Sequence, residues 1–194
     1  MRNLNINYKL INILSQRGVG MIEVMIALLV FSVGMLGIAS LQLVSLKTSF
    51  EAEQRYEATV LVDDLLSRIF SSGIPLAQRS DAYGEIAYDS TTGSPVAPVK
   101  LCNAIDSGCT QEQMVAWDIY EWQLAIKAQA VQHDGESQGL KGAKGCLSFP
   151  DDISPRVTVV WESMTDIGAG PVAAQCGGVT DGRYRHYSGP RRSG

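Results

Sequence analysis

The sequence predicts an α+β protein: a long N-terminal helix packed on a small antiparallel sheet, with an extra helix in the connecting region. Three features carry this reading. A charge-free apolar block from Val24 to Leu46 passes into a helical pattern of apolar residues that reaches Ile69. A second amphipathic stretch opens at Thr110, and alternating strand-like segments come last, after Cys146. At 194 residues the chain holds one compact domain plus an appendage. Its 45% hydrophobic and 19% charged residues exclude a disordered protein. A net charge of −4, with no basic run before the last dozen residues, argues against a nucleic-acid-binding domain.

The first element is a leader. Met1 to Gly18 carries Arg2, Lys9 and Arg17 and no acid, and the uncharged block then begins at Val24. As a helix rising 1.5 Å per residue, that block crosses a hydrocarbon core of about 30 Å. A secretory signal would have a shorter apolar region and a small-residue cleavage site, for which Ile38-Ala39-Ser40 is a poor match. No second apolar block comes later, so a single span is expected. Cations flank its N-terminal side, whereas Lys47 is soon succeeded by Glu51 and Glu53. The positive-inside rule therefore leaves the N-terminus in the cytoplasm and exports the chain beyond Leu46.

Glu23 stands out, because a carboxylate at the start of a membrane span is costly and is a functional candidate. By itself it could be a side chain reaching back to the headgroups. Its neighbours point elsewhere: Arg17-Gly18 precedes Val19-Gly20-Met21-Ile22-Glu23, which runs straight into the span. This arrangement resembles the class III signal of type IV prepilins, in which a basic leader ends in glycine and glutamate is the fifth mature residue. The stretch Val33-Gly34-Met35-Leu36-Gly37-Ile38-Ala39-Ser40-Leu41-Gln42 is similar to the PilV family of minor pilins, the type IV pilus modification proteins. The resemblance implies cleavage after Gly18 by a prepilin peptidase and N-methylation of Val19. Val19 and Gly20 depart from the usual phenylalanine and hydroxyl residue, and the leader is longer than most. Cleavage would create an α-ammonium in an apolar setting, where an unpaired charge is costly. Glu23, on a neighbouring subunit, can offset it and mark the register of assembly.

Beyond Leu46, Ala58, Leu61, Val62, Leu65, Leu66 and Ile69 recur at three- and four-residue steps. Ser71-Ser72-Gly73 and then Pro75, the first proline, supply the stop. A helix from about Gly20 to Ser71 would be roughly 75 Å long. Residues 1–18 are thus read as leader, 19–46 as the transmembrane and filament-core half of the helix, and 47–72 as its amphipathic half. Residues 73–194 form the exported head. A plain single-pass anchor accounts for the hydrophobicity but not for Gly18 and Glu23 together.

Within the head, residues 73–109 read as loop with a short strand near Glu85 to Tyr88. Thr110-Gln111-Glu112-Gln113 is a capping box, opening a helix near 111–131 with Val115, Ile119, Trp122 and Ile126 on one face. It should fade before His133-Asp134-Gly135. Strands are expected at Cys146 to Phe149, at Arg156 to Glu162 with Val157, Val159 and Trp161 on one face, and around Arg183 to Tyr187. Trp117 to Gln123, Gly145-Cys146 and Val157 to Val159 also look like PilV heads.

The four cysteines, Cys102, Cys109, Cys146 and Cys176, all fall in the part expected to be exported, and an even count there reads as two disulfides. Three connectivities are possible. Cys102–Cys109 with Cys146–Cys176 is favoured, since the first closes a tight loop and the second ties the strand region, as in many pilin C-terminal loops. No C-x-x-C pair is present and His133 and His186 sit in unrelated loops, so no metal site is expected. No nucleophile, phosphate-loop or metalloprotease motif occurs, which implies no enzyme, no catalytic residues and no cofactor. Asp151-Asp152 marks a turn rather than a calcium loop. The three tryptophans are accounted for by packing. Arg183, Arg185, Arg191 and Arg192 among Tyr184, His186 and Tyr187 could bind single-stranded nucleic acid, but a solvated terminus explains them more simply.

The resemblance implies a minor type IV pilin, held in the inner membrane by one span with its head in the periplasm, then moved to the extracellular pilus. Its partners would be the prepilin peptidase, other minor pilins and the major pilin. Its roles would be pilus assembly and priming, tip function, twitching motility and cell adhesion. A minor pseudopilin of a type II secretion system shares every N-terminal feature, and a single-pass anchored exported enzyme or receptor is the rival of a different class.

Overall fold

A computed structural model describes residues 20–104, 108–129, 132–133, 136–137, 140–163, 175–178 and 184–188. The chain divides into two compact units, one up to Leu46 and one from Lys47. Helix α1, Met21–Ser71, contributes to both. In the first unit its residues are exposed on every side, and it is long and apolar enough to cross a membrane. Two hydroxyls in this greasy stretch need no solvent: Ser32 Oγ donates to Leu29 O at 2.8 Å and Ser40 Oγ to Leu36 O at 2.9 Å. Bonding to the preceding turn hides the polarity of serine within an apolar helix.

In the second unit α1 becomes one-sided. Gln54, Ala58, Leu61, Val62, Leu65, Leu66 and Ile69 are buried, a stripe at helical spacing. The helix stops where Ser72 Oγ donates to Ile69 O and accepts from the Ile74 N–H, with Gly73 between them at φ +73°. Glycine adopts that left-handed conformation at no steric cost.

The segment read as loop holds a 3-10 turn at Leu76–Gln78 and a short helix α2, Arg79–Tyr83. Neither was expected, because single turns of helix are too short to display a period. Strand β1, Ile86–Asp89, comes next. Helix α3 runs over Gln111–Gln129, and its capping box is present in both directions. The Thr110 N–H donates to Gln113 Oε1 at 3.0 Å, and the Gln113 N–H donates to Thr110 Oγ1 at 3.4 Å. A two-residue hairpin, β2 (Gln132–His133) with β3 (Glu136–Ser137), occupies the stretch where the helix was expected to fade. Strands β4 (Lys144–Ser148), β5 (Arg156–Glu162) and β6 (Tyr184–Ser188) come last. The first starts two residues earlier than expected, since Lys144 and Gly145 extend the ladder opposite Asp89 and Tyr88. The main sheet has the order β1-β4-β5-β6, antiparallel throughout.

The core lies between the α1 stripe, α3 and the inner face of this sheet. Val115, Trp122 and Ile126 from α3 join Leu147 of β4 and Val157, Val159 and Trp161 of β5 in one cluster with the α1 residues. Trp122, fully buried, donates its indole N–H to Leu61 O at 2.8 Å, which joins α3 to α1. Directly over it sits Gly145. A Cβ there would collide with Ile126 Cδ1 and lie 2.6 Å from Trp122 Cη2, so only glycine lets the strand approach the helix. The outer face of the sheet is covered too. Val160, Cys176 and the neighbouring Cys146 form a second apolar cluster, so five successive residues of β5, Val157 to Trp161, are buried.

Gly145→Ala should destabilise the head by about 1–3 kcal/mol through overpacking. Urea unfolding of the full chain in detergent micelles checks this. Unchanged stability would mean that α3 and β4 are less tightly opposed than described.

Candidate functional site

The described helix begins close to the candidate processing site. Gly20 caps it: its carbonyl accepts from the Glu23 N–H at 2.9 Å and the Val24 N–H at 3.3 Å. Glu23 is thereby the third helical residue, in the first turn, where backbone N–H groups carry the positive end of the helix dipole. A carboxylate is favoured at such a position. Gly18 and Val19 lie outside the described residues. A Cβ on Gly20 would make only ordinary contact, 3.7 Å from Ile22 Cγ2, so the site has room for a serine or threonine. Gly34 and Gly37, farther along, have open space where a Cβ would stand, so nothing within the chain requires glycine there.

The head carries a structural rather than a catalytic constellation. Cys102 is joined to Cys109 and Cys146 to Cys176, with Cα–Cα distances of 6.0 and 5.7 Å. The second bridge holds residues 175–178 over the outer face of β4 and β5. Lys144 reinforces it, donating to Gly177 O at 3.1 Å and pairing with Asp89 at 3.0 Å. Burial alone would raise the Asp89 carboxyl. The hydrogen bonds from Thr91 and the Lys144 ammonium outweigh it and hold Asp89 below the ordinary value.

A second ionic group joins three helices. Arg68 of α1 pairs with Asp64 at 3.0 Å and with Asp118 of α3 at 3.3 Å, while Tyr83 Oη of α2 donates to Asp118 Oδ2 at 3.3 Å. Burial dominates at Asp118 and raises its carboxyl despite these partners. Burial and the Asp118 charge push the Tyr83 hydroxyl up to about 12. This group was not foreseen, because Arg68 and Asp118 lie fifty positions apart and only the packing of α3 on α1 brings them together.

The remaining candidates have ordinary structural places. Asp151 Oδ1 accepts from the Ile153 and Ser154 N–H groups, so it closes a turn, and Asp152 takes a left-handed φ of 60° within it. Trp122 and Trp161 are core residues, and Trp117 stacks at a tilt on Tyr120 with centroids 5.6 Å apart. Among the described residues no three His, Cys, Asp or Glu side chains come together to hold a metal. Arg183, Arg191 and Arg192 lie outside the described residues. Among the described residues, the head carries two open grooves. One, of about 460 Å³, runs beside the Cys146–Cys176 bridge with Glu85 and Arg156 at its rim. The other, of about 590 Å³, lies between α2 and the β4–β5 turn, with Asp81, Glu85 and Asp152 around Phe149 and Ile153.

Two pairs of variants test these assignments. Losing the Cys146–Cys176 bridge should cost about 3–4 kcal/mol, and losing the short Cys102–Cys109 loop about 1 kcal/mol less, if loop entropy governs. Equal costs, measured by urea unfolding of the two double-serine variants, would contradict that. Asp89 and Asp118 should respond to acid in opposite senses. The depressed Asp89 contributes stability above pH about 4 that is lost as pH falls through its folded value, so the deficit of Asp89→Asn closes below pH 4. The raised Asp118 contributes stability that is complete below the ordinary carboxylate value and lost as pH rises through its folded one. Wild type should therefore gain on Asp118→Asn as pH is lowered from 7 toward 4.

Compared with known families, residues 13–39 match the model of the prokaryotic N-terminal methylation motif. The match takes in Gly18, Val19 and Glu23 and extends into α1, leaving the head outside it. This is the signal of the type IV pilin and pseudopilin class, and it points to a structural protein rather than an enzyme. Such a signal implies processing by a prepilin peptidase and assembly with other pilins, and with the apolar helix it supports membrane anchoring. No curated protein matches the chain, and no solved structure matches it.

Proposed function

We propose that the chain is a minor type IV pilin of the PilV kind, cleaved after Gly18, N-methylated at Val19 and incorporated into a pilus by its long helix. One observation carries the reading. The methylation motif is continuous with a helix that is exposed and apolar on all sides as far as Leu46 and one-sided beyond it. An apolar helix with no covering inside its own chain needs either lipid or other helices, and a pilin uses both in turn.

The chemistry at the start of α1 fits that sequence of environments. After cleavage the α-ammonium of Val19 lies two residues before the first helical residue, next to the positive end of the helix dipole. Two positive sources together disfavour burial in an apolar bundle. Glu23 of a neighbouring subunit, in the first turn, supplies the compensating charge and favours the correct axial register over any other. Before assembly the leader cations keep the N-terminus cytoplasmic, with the head in the periplasm. The head then contributes contacts to other pilins, to priming and to tip function, with motility and adhesion as downstream effects. A type II secretion pseudopilin remains the second reading, since the matched motif is common to both classes.

The intact mass and N-terminal sequence of membrane-extracted protein, from cells with and without a prepilin peptidase, test the processing step. The peptidase should yield a chain beginning at Val19 and heavier by one methyl group; a chain still beginning at Met1 would end the pilin reading. Glu23→Ala should preserve insertion and cleavage while reducing incorporation into filaments by about tenfold or more. Normal incorporation of that variant would remove the charge-pairing role. Loss of piliation rather than of secretion on deletion separates pilin from pseudopilin.

A further inference from the structure

The cover on the outer face of the sheet stops short of one end. Strand alternation places three rows on that face: Asp89–Lys144–Val160, Ala87–Cys146–Thr158 and Glu85–Ser148–Arg156, with Glu85 immediately before β1. The first row is closed. Asp89 and Lys144 are cross-strand partners that pair at 3.0 Å, and Val160 is buried with Cys176. In the last row Ser148 stands between the charges instead. Among the described residues, neither Glu85 nor Arg156 has an ion-pair partner. Two strand spacings separate them, or about 10 Å.

The last two rows are the floor of the groove of about 460 Å³, and both charges line it. Its wall, Gln175 and Cys176, is built rather than draped. The Cys146–Cys176 bond fixes it to β4, and Lys144 Nζ donates to Gly177 O at 3.1 Å. Gly177, at φ +79°, lies so close over the Lys144 stem that a Cβ would collide with Cδ. A groove formed in advance spares a ligand the cost of ordering it. The floor side chains are short, Ala87, Ser148 and Thr158 among them, and no aromatic ring lines it for a sugar or a base to stack on. Opposite charges at its two sides disfavour a polyanion.

We infer that this groove binds a short zwitterionic peptide, laid across β1, β4 and β5 with its terminal carboxylate on Arg156 and its ammonium on Glu85. An extended chain covers about 3.3 Å per residue, so three residues bridge the distance between the charges. The guanidinium fork receives a carboxylate through two parallel N–H donors, a match that a point charge would not make. Between the ends, the Ser148 hydroxyl and the Gln175 amide offer a donor and an acceptor each to the peptide backbone. The site lies wholly in the head and is independent of the N-terminal motif and of the filament that the chain joins.

Titration of the full chain in detergent micelles with trialanine, read by backbone amide resonances, tests it. Saturable shifts should centre on Ala87, Ser148 and Thr158, with a dissociation constant on the order of 1 mM for a ligand of this size. Trialanine amide and N-acetyl-trialanine should each bind about fivefold more weakly or worse, since each leaves one charged side chain without its partner. Arg156→Gln should abolish the preference for the free acid over the amide, and Glu85→Gln the preference for the free amine over the acetylated peptide. Both variants should keep the wild-type urea midpoint, because neither side chain belongs to the core. No saturable shift at twenty times the expected constant, equal affinity for the three peptides, or preferences that survive the substitutions would each overturn the proposal. Shifts centred on Phe149 and Ile153, in the other groove, would overturn it as well.

Discussion

The head depends on one close approach. Trp122 is pressed between the α1 stripe and β4, and its indole N–H is satisfied by a helix carbonyl that already accepts within α1. Left unpaired in that core, the indole would cost on the order of 1–3 kcal/mol. The bond therefore specifies the depth and rotation at which α3 docks, where apolar contact alone would tolerate a slide. Gly145 is the other half of the same constraint, since the ring occupies the volume that any larger residue would claim. Once α3 is seated, Asp118 is brought to Arg68 and Tyr83, and Lys127 Nζ reaches Ser90 O at 2.6 Å. Connections made by side chains thus tie α1, α2 and the residue that follows β1 to a helix far away in sequence.

The two halves of α1 divide labour by composition alone. Up to Leu46 the helix offers apolar surface in all directions and keeps the hydroxyls of Ser32 and Ser40 bonded to its own backbone. From Gln54 onward it buries one face in the head and leaves charges such as Asp63 on the other. A single secondary structure serves two solvents because the change is in side chains, not in backbone. The disulfides divide their roles in a similar way: one closes a short loop between β1 and α3, while the other places a cover on a sheet face that would otherwise be open.

Much of this was legible in the sequence where a signal had length or chemistry behind it. The long helix, its stop at Ser71, the capping box at Thr110 and the strand at Arg156 to Glu162 rest on periodicity or on side chains that satisfy specific backbone groups. Alternation at Val157, Val159 and Trp161 correctly gave the inner face of β5. It could not reveal that Thr158 and Val160 are buried as well, because their cover comes from residues near Cys176 that arrive by way of a disulfide. The turns at Leu76 to Tyr83 fell below the length at which a period shows. Arg68, Asp118 and Tyr83 carried no assigned role, and Gly145 stood just before the expected strand, since their roles exist only in the packed structure. Glu23 drew attention through the cost of a carboxylate beside an apolar span, Gly18 and Val19 through resemblance to the prepilin signal, and the matched motif covers all three.

The order of strands has a bearing on how the head is made. β5 is central, and its outer neighbour β6 is the last strand among the described residues, pairing Ser188 with Thr158 and Tyr184 with Glu162. Its other neighbour, β4, pairs in turn with β1 more than fifty positions upstream. No complete sheet can therefore form until residue 188 has emerged. Until then β5, with its run of valines and a tryptophan, presents a bare hydrogen-bonding edge to whatever is nearby. Production of this protein should be limited by what shields that strand during synthesis, and premature termination a few codons before Tyr184 should yield a sticky fragment rather than a shortened head.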